Sequence, residues 1–250
     1  MIWRQVIPIS FTLSAMLAGF FSMLMSAAGE YVQAAQLIML SMVLDGLDGA
    51  LARVLKGTTK IGAELDTFVD MTSFGLAPAM LAYQAVLKDF ELWGLLVVSA
   101  VVLSGVLRLS RFRIVDPYRG QRGYLGLPIT VCGGWITLFV LATETGVIDD
   151  AWFNLHRGPM ANLVWTSVLA FTVLQVSHVR YVKPTKDPAV MSASVFLTIL
   201  LFLSARLAVA SALTLCAYGF FYAFISPFFR RQHIALDEDS ESEHVRIRHL

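Results

Sequence analysis

The chain has 250 residues, 57% of them hydrophobic and 15% charged, with a mean hydropathy of +0.68. A soluble domain carries about 25% charged residues, so this apolar excess excludes a soluble enzyme, a disordered chain and a secreted disulfide scaffold. The net charge of +1 offers no basic field for nucleic acid, and Cys132 and Cys216, both in apolar runs, read as small buried residues.

Eight apolar segments follow one another at approximately 7–28, 31–54, 62–87, 92–110, 127–146, 159–179, 188–205 and 208–228. A spanning helix needs about 20 residues. Backbone polar groups in lipid must be satisfied within the segment, so each is predicted to be a helix. The expected fold is all-α, a polytopic membrane helical bundle of about eight transmembrane helices. The first segment is long enough to span and reads as a helix rather than a cleaved signal. Residues 1–229 are predicted to form one membrane domain. The charged stretch 230–250, with Asp237, Glu238, Asp239, Glu241 and Glu243, is predicted to be a solvated cytoplasmic tail.

Positive charge orients the bundle. Sixteen of the nineteen Lys and Arg fall on the side that holds the N-terminus. They include Arg4, Arg53, Lys56, Lys60, Arg108, Arg111, Arg113 and Arg180. Lys88, Arg157 and Arg206 fall on the other side. Both termini are therefore predicted to be cytoplasmic, in a multi-pass protein of the inner or plasma membrane.

The second and third segments break the apolar rule. Asp45 and Asp48 lie at i and i+3, and Gly49 and Ala52 extend their stripe. Gly62, Asp66 and Asp70 repeat at i+4 on the next segment. The short connection Lys56-Gly57-Thr58-Thr59-Lys60 makes the two helices antiparallel neighbours, so the acidic stripes can face each other near the cytoplasmic end. A carboxylate inside a span is expensive and marks function by default. Four of them can share protons, pass monovalent cations, or hold divalent ones. Oxygen ligands suit Mg²⁺, Mn²⁺ or Ca²⁺, and two divalent ions match the charge of four ionised aspartates. Small residues along the stripes let a bulky ligand approach the backbone, and Arg53 at the membrane edge suits a phosphate.

The run Asp45-x2-Asp48-Gly49-x2-Ala52-Arg53-x8-Gly62-x3-Asp66-x3-Asp70 resembles the signature of the CDP-alcohol phosphatidyltransferases at all eight specified positions. Ser73-Phe74-Gly75-Leu76-Ala77-Pro78-Ala79, Leu107-Arg108-Leu109-Ser110-Arg111-Phe112, Gly126-Leu127-Pro128-Ile129 and Val176-Ser177 with Tyr181 are similar to runs of the phosphatidylserine synthase branch. Pro8, Thr12 and Gly19 match the first-helix pattern, which usually has Asn where this chain has Ala15. Thr130 and Val182 replace two prolines. The resemblance covers roughly residues 8–184.

That resemblance implies transfer of a phosphatidyl group from CDP-diacylglycerol to L-serine, with release of CMP. By the family's roles, Asp45, Asp48, Asp66 and Asp70 would ligate two divalent cations, Mg²⁺ or Mn²⁺, and Asp70 would also be the catalytic base. Asp48, Gly49, Ala52, Arg53, Gly62 and Asp66 would bind the CDP portion. Arg108, Arg111 and Ser73 are the candidates for the acceptor. Arg113, Arg119 and Arg122 read as loop charges, and Tyr181 and Lys183 as weaker site candidates. The family also implies a homodimer. Two alternatives stand beside this reading: another alcohol acceptor, such as glycerol 3-phosphate or inositol phosphate, and, in a different class, a cation or proton transporter.

Overall fold

The computed structural model describes residues 3–115, 124–148, 159–181, 188–225 and 227. The expected tail 230–250, Arg119, Arg122, Arg157 and Lys183 lie outside the described residues. The described chain is all-helical apart from one two-residue strand pair. It runs α1 (Trp3–Ala28), α2 (Tyr31–Val54), α3 (Lys60–Val69), a wider π-helical turn (Asp70–Leu76), α4 (Ala77–Ala85), α5 (Glu91–Val115), β1 (Tyr124–Leu125), α6 (Ile129–Glu144), α7 (Pro159–Val176), β2 (Arg180–Tyr181), α8 (Pro188–Leu200) and α9 (Ala205–Phe224). A single 3₁₀ turn, Leu87–Phe90, precedes α5. Among the described residues, three stretches are long and apolar enough to cross a membrane: Trp3–Ala28, Leu87–Ile114 and Ala205–Phe224.

Each predicted segment is helical, but the third is not one regular helix. Pro78 explains why. It lacks an N–H, so the Phe74 carbonyl one turn earlier loses its helical donor. The preceding turn widens to i→i+5 bonding, the usual adjustment when a helix absorbs an extra residue. The Phe74 carbonyl is instead packed directly against Gly133 of α6, where a Cβ would collide with it. This close approach holds the π turn against α6.

Hydrogen bonds sort the loops to two ends of the bundle. At one end, Gly57 sits on the Arg4 carbonyl with no room for a side chain. There too, Arg111 reaches the end of α7, β1 pairs with β2 (Tyr124 opposite Tyr181), and the Tyr181 hydroxyl donates to the Ala223 carbonyl at 3.0 Å. Burial pushes the Tyr181 phenol up to about 12, so it stays a neutral donor. Tyr181 thus anchors the α7–α8 connection onto α9. At the other end, the Tyr31 hydroxyl donates to the Gln84 carbonyl at 2.9 Å and the Gln36 amide to the Leu201 carbonyl at 3.0 Å. The helices therefore alternate in direction. Arg53, Lys56, Lys60, Arg111, Arg113 and Arg180 gather at the first end, and Lys88 and Arg206 at the second.

Small side chains set the closest packing. Ala15, Ala18, Gly19, Ser22 and Ser26 form the buried stripe of α1. Ala34, Ala35, Ile38 and Ser41 are the matching buried small and apolar residues of α2, and Gly19 packs on Ser73 of the π turn. Such stripes let backbones approach when lipid removes the hydrophobic drive between helices. Ala15, where the first-helix pattern usually has Asn, is fully buried here. Its carbonyl accepts from the Ser41 and Ser73 hydroxyls at 2.8 and 3.3 Å.

Candidate active site

The site forms where α2 ends and α3 begins. Leu55–Thr59 reverse the chain, and the Thr59 hydroxyl caps α3 by accepting from the Gly62 amide at 3.0 Å. This cap starts the helix where Gly62, Asp66 and Asp70 share one face. Ligand oxygens of Asp45, Asp48 and Asp66 then lie within 4.8 Å of one another. Asp48 is buried, Asp45 half-buried and Asp66 exposed. Asp70, one turn from Asp66, is outside that compact group but close enough for its charge to act on Asp45 and Asp66.

Two basic residues flank the acids. Arg53, one turn beyond Asp48 on α2, is exposed, and its charge acts on Asp48. A Cβ on Gly49 would lie 3.5 Å from the Arg53 guanidinium, so the Gly49–Arg53 face is open and cationic. Arg108 on α5 is 5% exposed, and its charge acts on Asp70. Its guanidinium carbon lies 5.8 Å from the centre of the Phe112 ring. A buried arginine needs a carboxylate or equivalent nearby, and Asp70 provides one.

The donor set fits a hard divalent cation. Three carboxylates converge, and the Asp45 Oδ1 atom is buried with no hydrogen-bond partner among the described residues. An orphaned buried carboxylate oxygen is costly and is the kind of atom that coordinates a cation. The ligands are all oxygen, as Mg²⁺ and Mn²⁺ prefer.

Ser73 and Arg111 each hydrogen-bond to a neighbouring helix. Ser73 is fully buried, donates to the Ala15 carbonyl and packs on Gly19 of α1. Simple helical spacing places it near the face of Asp70. The π turn advances less rotation per residue and carries it further round, toward α1. Arg111 donates to the Val176 and Ser177 carbonyls at 2.7 and 2.5 Å, so it ties α5 to the end of α7. Gly62 and Ala52 stay on the acidic stripes, half-buried.

Arg113 corrects the expectation of a loop charge. It belongs to the last turn of α5, pairs with Glu64, and donates to the Ala63 carbonyl and the Thr67 hydroxyl at 3.0 and 3.2 Å. It braces α3 beside Asp66. The sequence pattern offers no signal for this, because the contact joins residues about 50 positions apart in the chain.

The whole arrangement, acids opposed across an α2–α3 turn, is matched along the chain. Residues 5–174 fit the family model described as CDP-alcohol phosphatidyltransferase. The chain belongs to the CDP-alcohol phosphatidyltransferase family. It is 32% identical over 197 residues to the CDP-diacylglycerol–serine O-phosphatidyltransferase of Helicobacter pylori, covering 79% of each chain. It is 34% identical over 167 residues to the archaetidylserine synthase of Methanothermobacter thermautotrophicus, covering 66% of this chain and 64% of that one. A CDP-diacylglycerol–serine O-phosphatidyltransferase of Methanocaldococcus jannaschii is 44% identical over 95 residues, 37% of this chain and 43% of its own. With its apolar helices, this family member is an integral membrane enzyme of phospholipid synthesis.

One site residue escaped the sequence reading except as a pattern match. The Thr12 hydroxyl on α1 makes a very short contact with Asp48 Oδ2. It also lies 3.0 Å from the Pro8 carbonyl, and with one proton it can donate to only one of the two. Donation to Asp48 would fix the rotamer of the most buried carboxylate, as partners of metal ligands do. In this phosphatidyltransferase, Thr12→Val is expected to weaken Mn²⁺ binding about 10- to 100-fold. A titration followed by electron paramagnetic resonance measures this; unchanged affinity would assign Thr12 to packing alone.

Proposed function

We propose that this enzyme transfers a phosphatidyl group from CDP-diacylglycerol to L-serine, giving phosphatidylserine and CMP. The convergence of Asp45, Asp48 and Asp66 beside Asp70 carries the reading. The relatives' names support the donor and the serine acceptor. Asp45, Asp48, Asp66 and Asp70 would hold two divalent cations, Mg²⁺ or Mn²⁺, which would supply positive charge to the diphosphate as its bond breaks. Gly49, Ala52 and Gly62 leave room for the cytidine diphosphate, with Asp48 and Asp66 bordering it, and Arg53 meets a phosphate oxygen.

The serine hydroxyl oxygen attacks the phosphorus that bears diacylglycerol. One P–O bond forms to serine, and the P–O bond to CMP breaks. Asp70 takes the hydroxyl proton as general base. Arg108, buried beside Asp70, is placed to receive the serine carboxylate through a bidentate contact. Arg111 and Ser73 contribute indirectly, through the end of α7 and through α1. The reaction centre sits at the end of the bundle where the basic residues gather, which by the positive-inside rule is the cytoplasmic face. All eight helical stretches span the inner or plasma membrane in this reading, with residues 1–229 as the membrane domain, the tail in the cytoplasm, and two copies forming a homodimer.

The test offers purified enzyme, Mn²⁺ and CDP-diacylglycerol a panel of serine, glycerol 3-phosphate, inositol phosphate and choline. CMP release is expected with serine. Preference for a phosphorylated alcohol would overturn the acceptor assignment, and metal-dependent ion flux without CMP would overturn the enzyme. Arg108→Gln is expected to raise KM for serine more than it lowers kcat, since it removes a binding contact. Equal loss in kcat and kcat/KM would detach Arg108 from serine binding.

A further inference from the structure

A cavity of about 180 Å³ opens between α2, α6, α8 and α9, away from the acids. Its walls include Met39 and Met42 of α2, Gly134 and Trp135 of α6, and Tyr218 and Gly219 of α9. It is mostly apolar but holds one unsatisfied donor. Trp135 is 6% exposed, and its buried Nε1–H has no partner among the described residues. The indole stacks on Phe139 and meets Phe171 edge-on, so its orientation is held. Its Cδ1, bonded to Nε1, faces the cavity wall at Gly219, 3.5 Å from where a Cβ would stand. The indole N–H edge therefore borders the cavity.

Met42 links the cavity wall to the acidic site along α2. Met42 is one turn before Asp45, and a Cβ on Gly134, next to Trp135, would lie 3.0 Å from the Met42 methyl. Three residues of helical rise put Met42 about 4.5 Å along α2 from Asp45, so the cavity wall that it forms with Gly134 lies near the depth of the carboxylates. In a glycerolipid the first ester carbonyl lies only a few bonds from the phosphate, a comparable depth. A buried tryptophan N–H normally finds an acceptor, and an ester carbonyl is one that enters an apolar cavity with its chain.

We propose that this cavity receives one acyl chain of the donor lipid and that Trp135 donates to its ester carbonyl, so that Trp135 selects ester-linked over ether-linked donors. The proposal rests on the function assigned above and adds the donor's linkage chemistry to it. Gly134 and Gly219 keep the cavity open.

Two variants and a labelling experiment test it. Trp135→Phe keeps the ring and removes the donor. It is expected to raise KM for the ester-linked CDP-lipid about threefold to tenfold, as one buried hydrogen bond implies, and to leave KM for the ether-linked analogue near the wild-type value. Gly219→Leu fills the cavity and is expected to lower the ratio of long-chain to short-chain donor turnover at least about fivefold, the loss of a methylene or two of chain burial. Equal effects of Trp135→Phe on ester and ether donors, or an unchanged chain-length ratio in Gly219→Leu, would overturn the proposal. A CDP-lipid with a photoreactive diazirine in its chain is expected to label α6 or α9 of the wild type, and labelling confined to other helices would also overturn it. Labelling reports on the cavity whether or not CMP is formed, so wild-type protein that labels there without turnover refutes the assigned reaction and not the chain site.

Discussion

Asp70→Asn is expected to lower CMP release about 10²- to 10⁴-fold, the range that a positioned general base contributes. Asn keeps the shape and can still accept a hydrogen bond, but it cannot take the proton of the serine hydroxyl. The protein should remain folded and inserted, because the substitution removes a charge from the membrane interior rather than adding one. Asp70 opens the π turn, which holds its backbone between α3 and the Gly133 contact on α6. That packing does not depend on the carboxylate. Single-turnover release of labelled CMP, beside size-exclusion elution in detergent, measures both quantities. Turnover near the wild-type rate would remove Asp70 as the base, and aggregated protein would mean that its charge supports the fold, with Asp70→Glu as the second variant that separates the two.

Chelation is expected to abolish turnover, and Mn²⁺ or Mg²⁺ to restore it fully. Asp45, Asp48 and Asp66 place their oxygens within 4.8 Å of one another, and the Asp70 charge acts on Asp45. Four ionised carboxylates so close in a low-dielectric setting are costly unless cations offset them. Asp48→Asn should therefore bind Mn²⁺ at least about tenfold more weakly, since a buried ligand is lost. Calorimetric titration of the variant, together with activity after dialysis against a chelator, provides the measurement. Full activity in chelator would sink the metal reading, and equal Mn²⁺ affinity in Asp48→Asn would take Asp48 out of the ligand set. The Thr12→Val result complements this, since the Thr12 hydroxyl touches Asp48.

The positions of the four aspartates were readable because a helix has a constant period. Spacings of three and four residues place side chains on one face whatever surrounds the helix. A five-residue turn then leaves two such faces no choice but to be neighbours. Ser73 illustrates one limit: Pro78, five residues later, widens the turn between Asp70 and Leu76 and breaks the period, and the Ser73 hydroxyl meets the Ala15 carbonyl of α1. Arg111 and Arg113 illustrate a second limit. Both are arginines at the basic end of α5, and a sequence says nothing of which carbonyls they will find. Arg111 reached α7 and Arg113 reached α3. Thr12 illustrates a third. It is separated from Asp48 by 36 residues, and only the packing of α1 on α2, where the Ser41 hydroxyl also donates to the Ala15 carbonyl, brings them together.

The sequence by itself determined the all-helical class, the alternation of apolar segments, the acidic stripes and the family, because each depends on local period, composition or a spaced motif. Tertiary structure alone decided which acids form the compact group, which carbonyls Arg111 and Arg113 reach, and where a tryptophan N–H is left facing an apolar cavity. Those outcomes depend on contacts between residues far apart in the chain, and on where close backbone approach leaves space.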